Sequence, residues 1–141
     1  VAFWRLALKP GKPLACGQLG PRRTAFLGLP GNPVAAMVTF LQFAAPLLAR
    51  LQGQPAAQGL PPRRTALADD AIISRRGRTD FVRGVHYSDD KGRLRVRESG
   101  PQGSGILSSM ALADCLIEIG PECDRVEPGA PVTIQLLGYY P

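Results

Sequence analysis

The spacing of hydrophobic residues changes along the chain, and each spacing predicts a different element. Short apolar runs at 2–8 and 24–31, with the extended segment 13–19 between them, predict three strands. From Pro33 to about Leu51 the apolar residues fall three or four positions apart, which predicts one amphipathic helix. The N-terminal third of the chain therefore consists of strands, a turn and a helix.

The turn before this helix, Leu-Pro-Gly-Asn-Pro at 29–33, contains the residues that typically begin a helix. Asn32 is a suitable N-cap, and Pro33 suits the first helical position, where its missing N–H is not needed. Pro46 lies inside the helical pattern and is expected to kink the helix or to release the carbonyl of Gln42.

The second half of the chain has a strand-like pattern. Residues 55–64 are rich in proline and predict a linker, and residues 65–141 contain five short apolar or alternating runs separated by Gly, Pro and Asp. Five short strands predict a small all-β domain of the barrel or sandwich type. The segment 102–114 allows one or two helical turns.

Composition limits the classes of function. The chain has 141 residues, 45% of them hydrophobic, so it can bury a core. The net charge of +6 favours anionic partners, but aromatic residues make up only 6% and do not alternate with basic ones, so a phosphorylated small molecule fits at least as well as nucleic acid. We expect no membrane span, and the charges of Arg5 and Lys9 argue against a signal peptide, which predicts a cytoplasmic protein. The abrupt apolar start suggests a truncated chain.

Residues with catalytic or metal-binding chemistry are scarce. The single histidine, His86, occupies an alternating position of a predicted strand, where a structural role is favoured over that of a base. The acid pairs at 69–70 and 89–90 are interpreted as turn residues that face water, and the three cysteines as reduced and buried. The sequence therefore predicts neither a catalytic residue nor a metal ligand in this chain.

Two motifs indicate anion binding. Lys9 and Lys12 stand three residues apart around a Pro-Gly turn, so both ammonium groups can converge on one anion. The turn 29–33 then presents the N–H groups of a helix start at the end of a strand, where α/β sheets bind phosphate. An ordinary turn remains the alternative for each motif taken alone.

These motifs, together with "GRTDFVRG" at 77–84 and "QGSGILSSMALADCLIEI" at 102–119, resemble a known family. The chain is similar, almost end to end, to the C-terminal part of the molybdopterin molybdenumtransferases of the MoeA type, which the E domain of gephyrin also represents. The resemblance implies that residues 1–54 are the C-terminal portion of a three-layer α/β molybdopterin-binding domain. The β-barrel-like domain at 65–141 would follow it.

The resemblance also implies an activity. These enzymes take adenylated molybdopterin and molybdate, release AMP and leave molybdenum on the pterin dithiolene, with magnesium as the divalent cation. It implies a homodimer for the full-length protein and a MogA-type adenylyltransferase as a partner. Neither a membrane nor a specific nucleic acid is expected.

The family's functional residues map onto two sets in this chain. The molybdate-binding set is Lys9, Lys12, Pro13, Arg83, Ser108 and Ser109. The pterin- or phosphate-binding set is Pro30, Gly31, Asn32 and Pro33. Arg78 is the alternative to Arg83, and either serine can be the one that faces the site. Helix capping by the serines and by Asn32, and a cross-strand ion pair for Arg83, remain open.

The chain also departs from the family pattern. The family's Ser-Gly-Asp-type and Gly-Gly-Val-Ser-type loops do not occur in it, and the acids that hold magnesium and attack the adenylate belong to that part of the family. We therefore expect this chain alone to be inactive. A non-catalytic anion-binding, pterin-binding or protein-interaction module is the alternative. A nucleic-acid binder is a third alternative, and its only support is the net charge.

Overall fold

The chain forms two compact units. A computed structural model describes residues 2–11, 13–103 and 106–138, and the two units are Val1–Leu60 and Pro61–Pro141. Lys12, one of the predicted molybdate-binding residues, lies outside the described residues.

The first unit contains a small antiparallel sheet. The strands of this unit are β1 (Ala2–Arg5), β2 (Leu8–Lys9), β3 (Pro13–Leu19) and β4 (Thr24–Gly28), and β2 is not part of this sheet. The sheet has the order β1-β3-β4, with Cys16 opposite Leu27. The first strand is shorter than the predicted 2–8, because it ends at Arg5 and the chain resumes an extended conformation only at Leu8.

The predicted helix forms with an irregular centre. It comprises α1 (Pro33–Thr39), a π-helical turn (Phe40–Ala44) and α2 (Ala45–Leu51). Pro46 has no N–H, and one residue before it the Ala45 N–H donates to the Phe40 carbonyl five positions back. The disturbance expected at Pro46 therefore takes the form of a widened turn.

The helical run 33–51 is apolar on more than one face. Val34, Val38 and Thr39 have no exposed surface, whereas Phe40 and Leu51 are exposed. By length and composition alone these 19 residues, with a mean hydropathy of 1.7 in their most apolar window, meet the requirement for a membrane span, contrary to the expectation from sequence. A core helix of a soluble protein meets the same test, so this is weak evidence for a membrane.

The predicted linker is partly ordered structure. Ala56–Gly59 forms a 3-10 helix that packs against α2, and a Cβ at Gly59 would collide with the Ala45 carbonyl. The last two residues of the predicted linker, Arg63 and Arg64, already belong to the first strand of the second unit.

The second unit is a five-stranded barrel, which agrees with the prediction of a small all-β domain. Its elements are β5 (Arg63–Ala68), β6 (Ile72–Ile73), β7 (Thr79–Ser88), β8 (Leu94–Glu98), α3 (Leu107–Leu112), β9 (Cys115–Ile119), β10 (Arg125–Val126) and β11 (Pro131–Leu136). The barrel order is β7-β8-β5-β11-β9, and pairing of β7 with β9 closes it. Only the β5–β8 pair among these is parallel. Residues such as Val96, Ile117 and Ile134 fill the core.

Two expectations about polar and sulfur side chains hold only in part: Asp70 and Asp90 are exposed, and the three cysteines are free. Asp69 accepts hydrogen bonds from Arg95 and Tyr87, and Asp89 accepts from the backbone N–H groups of Lys91 and Arg93, so both carboxylates organise their turns. Of the cysteines, only Cys115 is fully buried. Acid pairs in a sequence do not reveal which donors the fold brings to them.

Candidate functional site

The Lys-Pro-Gly motif lies against the first helix. Pro10 and Gly11 are buried, whereas Lys9 is exposed at the end of β2. Gly11 has φ +119°, and a Cβ built on it would lie 2.5 Å from Cγ2 of the fully buried Thr39. The motif thus holds its backbone on α1 and leaves the Lys9 ammonium in solvent.

Asn32 begins α1 as the sequence predicts. Its Oδ1 accepts hydrogen bonds from the N–H groups of Val34 (3.1 Å) and Ala35 (3.3 Å), and Pro33 occupies the first turn. The expectation that free helix-start N–H groups face a ligand was therefore wrong for these two residues, which the cap satisfies and the fold buries. A ligand at this turn would meet the residues that precede the cap.

Those preceding residues line a cavity. A cleft of about 580 Å³ lies between β3 and the end of β4, and its wall includes Pro13, Pro30, Gly31 and Arg5. Pro13 belongs to the predicted molybdate set and Pro30 and Gly31 to the predicted pterin set, so the structure brings members of both sets to one cavity. Arg5 adds a cation that the sequence analysis did not consider as a binding residue.

Arg83 and Ser109 form a buried pair in the second unit. The Arg83 Nε donates to Ser109 Oγ at 2.9 Å, and each residue is 1% exposed. The Arg83 Nη2 donates to the carbonyls of Pro101 (3.1 Å) and Gly103 (2.9 Å). Burial lowers the pKa of Arg83, and the negative charge of Glu98 opposes that shift. The guanidinium remains charged at neutral pH and is held by three oxygen acceptors.

The structure places the alternative residues in different surroundings. Ser109 contacts Arg83 and also donates to the Ile106 carbonyl at 3.0 Å, whereas Ser108 is exposed. Arg78 instead forms an ion pair with Asp80 at 2.8 Å. The geometry therefore favours Arg83 and Ser109 over Arg78 and Ser108, because the side chains of Arg83 and Ser109 are in direct contact.

A further residue that sequence reasoning missed is Gln102. Its side-chain amide accepts from the Arg83 backbone N–H at 2.8 Å and donates to the Arg83 carbonyl at 3.0 Å. Gln102 stands at the start of the "QGSG" motif, and that position was its only signal.

One group of potential metal ligands exists among the described residues. His86, Asp114 and Cys115 offer ligand atoms within 4.8 Å of one another. The Asp114 Oδ1 is already bonded to His86 Nδ1 (2.7 Å) and to the His86 backbone N–H (2.9 Å), and burial raises the pKa of the Cys115 thiol. These contacts give His86 a structural role.

Comparison with known protein families shows which family the chain matches. Residues 65–137 match the family described as the MoeA C-terminal region (domain IV), and residues 1–50 match the probable molybdopterin binding domain. The chain belongs to the MoeA family. Both matches cover the motifs on which the resemblance depended, so the resemblance is confirmed.

Individual MoeA relatives agree. A molybdopterin molybdenumtransferase of Haemophilus influenzae is 43% identical over 96% of this chain and 33% of its own length. A molybdopterin molybdenumtransferase 2 of Mycobacterium tuberculosis is 35% identical over 96% of this chain and 31% of its own length. This MoeA chain therefore spans about a third of the length of the curated relatives it matches.

Two solved structures share the fold. The molybdopterin biosynthesis moeA protein of Pyrococcus horikoshii OT3 is 28% identical, with a TM-score of 0.69 over 95% of this chain and 31% of that one. A molybdenum cofactor biosynthesis protein of Pyrococcus furiosus is 27% identical, with a TM-score of 0.73 over 96% of this chain and 46% of that one.

Proposed function

We propose that this chain is part of a cytoplasmic molybdopterin molybdenumtransferase and that it supplies residues that bind molybdate and the pterin substrate. The whole enzyme would insert molybdate into adenylated molybdopterin and release AMP. The observation that carries the proposal is the contact between Arg83 and Ser109, because two residues implied separately by the family motifs meet at 2.9 Å.

Molybdate chemistry fits these side chains. Molybdate is a tetrahedral dianion, so its site needs cationic and hydroxyl donors rather than carboxylates. In the second unit the proposed donors are Arg83, as a planar fork, and Ser109, with Ser108 exposed next to it in sequence. In the first unit they are Lys9 and Lys12, with Pro13 as a wall residue. All of these are donors or uncharged wall residues, as an oxyanion requires.

The pterin-binding assignment is supported by the cavity beside Pro30. The lining is mainly apolar, which suits a heterocycle, and Arg5 stands where a phosphate could be neutralised. Asn32 and Pro33 would act indirectly, by fixing the turn that forms the wall. We propose that residues 1–54 represent part of the three-layer molybdopterin-binding domain, with the barrel at 65–141 as the following domain.

Magnesium does not fit this cavity. Mg²⁺ prefers carboxylate and water oxygens, whereas the charged side chain among the cavity's described lining residues is that of Arg5. By the resemblance, the acids that hold the cation lie in parts of the relatives that this chain does not span. A homodimer and a MogA-type adenylyltransferase remain proposals for the whole enzyme.

Replacing Lys9 with alanine should weaken molybdate binding by about 5- to 10-fold, because one charge-assisted contact to the dianion is lost. Lys9 is exposed, so the fold should not change. Isothermal titration with molybdate measures the affinity, and Lys91→Ala, at an exposed position of a hairpin turn, is the matched control. Equal affinities for the two variants would contradict the role of Lys9.

Replacing Gly31 with valine should abolish pterin binding without unfolding the chain. Gly31 lines the cavity, and a Cβ built on it meets no heavy atom within 4 Å, so the larger side chain costs the fold little. Equilibrium dialysis with molybdopterin under anaerobic conditions measures the binding, and thermal melting measures the fold. Normal binding by a folded Gly31→Val protein would remove this turn from the site.

A binding module without catalysis is the second candidate, favoured by the absence of carboxylates among the cavity's described lining residues. Molybdate-dependent release of AMP from adenylated molybdopterin distinguishes the two. Release by a longer relative but not by this chain, when both bind molybdate, would assign the chain a binding role. Release by this chain alone would require catalytic groups within it.

A further inference from the structure

We infer that Gln102 positions Arg83 for anion binding. Its side-chain amide forms hydrogen bonds with the Arg83 backbone N–H and carbonyl, as a neighbouring strand would otherwise do. This inference rests on the proposed function, since Arg83 matters to it as a molybdate-binding residue.

The first step concerns where the strand pairing ends. On one side of β7 the neighbour is β8, whose last pair joins Gly84 to Glu98. Beyond it the Ser99 N–H still donates to the Arg83 carbonyl, at 2.9 Å, and then the chain turns away. The Arg83 N–H therefore donates to a side-chain acceptor, Gln102 Oε1, at 2.8 Å.

The nitrogen of the Gln102 side-chain amide forms two further hydrogen bonds. Gln102 Nε2 donates to the Arg83 carbonyl at 3.0 Å and to the Gly100 carbonyl at 2.7 Å. One planar amide thus satisfies both main-chain groups of Arg83 and ties them to the loop 99–103. A primary amide is the side-chain group that offers an acceptor and two donors in this arrangement.

The third step connects the main chain to the guanidinium. The same loop supplies the carbonyls of Pro101 and Gly103 that accept from Arg83 Nη2, and Ser99 Oγ donates to the Ser109 carbonyl at 2.6 Å. Gln102 therefore fixes both the root of the Arg83 side chain and the acceptors around its tip. Loss of this support would let the guanidinium and Ser109 move relative to each other.

The test compares Gln102→Met, which keeps the length and removes the amide, with Gln58→Met at an exposed position as the matched control. We expect the dissociation constant for molybdate to rise about tenfold in Gln102→Met and to stay unchanged in the control. We also expect the Arg83 Nε–H resonance in ¹⁵N spectra, protected from solvent exchange in the wild type, to lose that protection in Gln102→Met alone.

The outcomes separate the two proposals. Wild-type affinity and an unchanged Nε–H exchange rate in Gln102→Met overturn the role of Gln102 while the proposed function stands. A wild-type chain that binds no molybdate overturns the proposed function and the anion-binding role of Gln102 with it. If Gln102→Met does not fold, Gln102→Asn keeps an uncharged amide with a shorter reach, and wild-type affinity in that variant overturns the inference.

Discussion

Replacing Arg83 with methionine is expected to lower the free energy of unfolding of the barrel by about 3–5 kcal/mol and to abolish molybdate binding. Methionine fills similar volume but removes the donors to Ser109 Oγ and to the carbonyls of Pro101 and Gly103. Each acceptor left unpaired in the interior costs about 1–3 kcal/mol, and the two loop carbonyls can recover part of this from water because their bonds are only partly buried.

Urea denaturation followed by circular dichroism measures this loss, with calorimetry for molybdate. The control is Arg75→Met, at an exposed position, which should change the free energy of unfolding by less than about 0.5 kcal/mol. Arg83→Lys keeps the charge but cannot reach three acceptors with a planar fork, so it should recover only about half of the lost stability. A change below about 1 kcal/mol in Arg83→Met would show that the buried network contributes little.

The regular elements could be predicted from the sequence because their signals are local. The helix 33–51 has its periodicity, its N-cap Asn32 and its first-turn Pro33 written in consecutive residues, and the five barrel strands have short apolar runs bounded by turn residues. A disturbance near Pro46 was predictable, but its form was not, because a proline does not specify that the Ala45 N–H donates to the Phe40 carbonyl five positions back.

The candidate site was less accessible to sequence reasoning because its contacts join distant positions. Arg83 and Ser109 are 26 residues apart, and no local pattern reveals that a guanidinium and a hydroxyl meet. Gln102 was missed for the same reason: its partner is the backbone of Arg83, 19 residues earlier, and backbone groups leave no trace in a sequence. The motif "QGSG" marked the segment, but only the fold shows what the glutamine does.

Replacing Gly11 with alanine is expected to destabilise the first unit by about 3 kcal/mol. Two costs combine: φ +119° is a conformation that L side chains rarely adopt, and the new Cβ would lie 2.5 Å from Cγ2 of Thr39. Thr39 has no exposed surface, and its Oγ1 donates to the Ala35 carbonyl at 2.6 Å, so it cannot simply rotate away.

Two companion variants separate these costs. Gly20→Ala, at φ +68° with no atom within 4 Å of the new Cβ, carries backbone strain alone and should cost about 1 kcal/mol. Thr39→Ser removes Cγ2 and keeps the hydroxyl, so in a double-mutant cycle measured by urea denaturation it should restore about 1–2 kcal/mol to Gly11→Ala. A coupling near zero would mean that the Lys-Pro-Gly turn does not rest on α1. Recovery would instead show that the glycine lets the turn approach the helix closely enough to fix the position from which Lys9 extends.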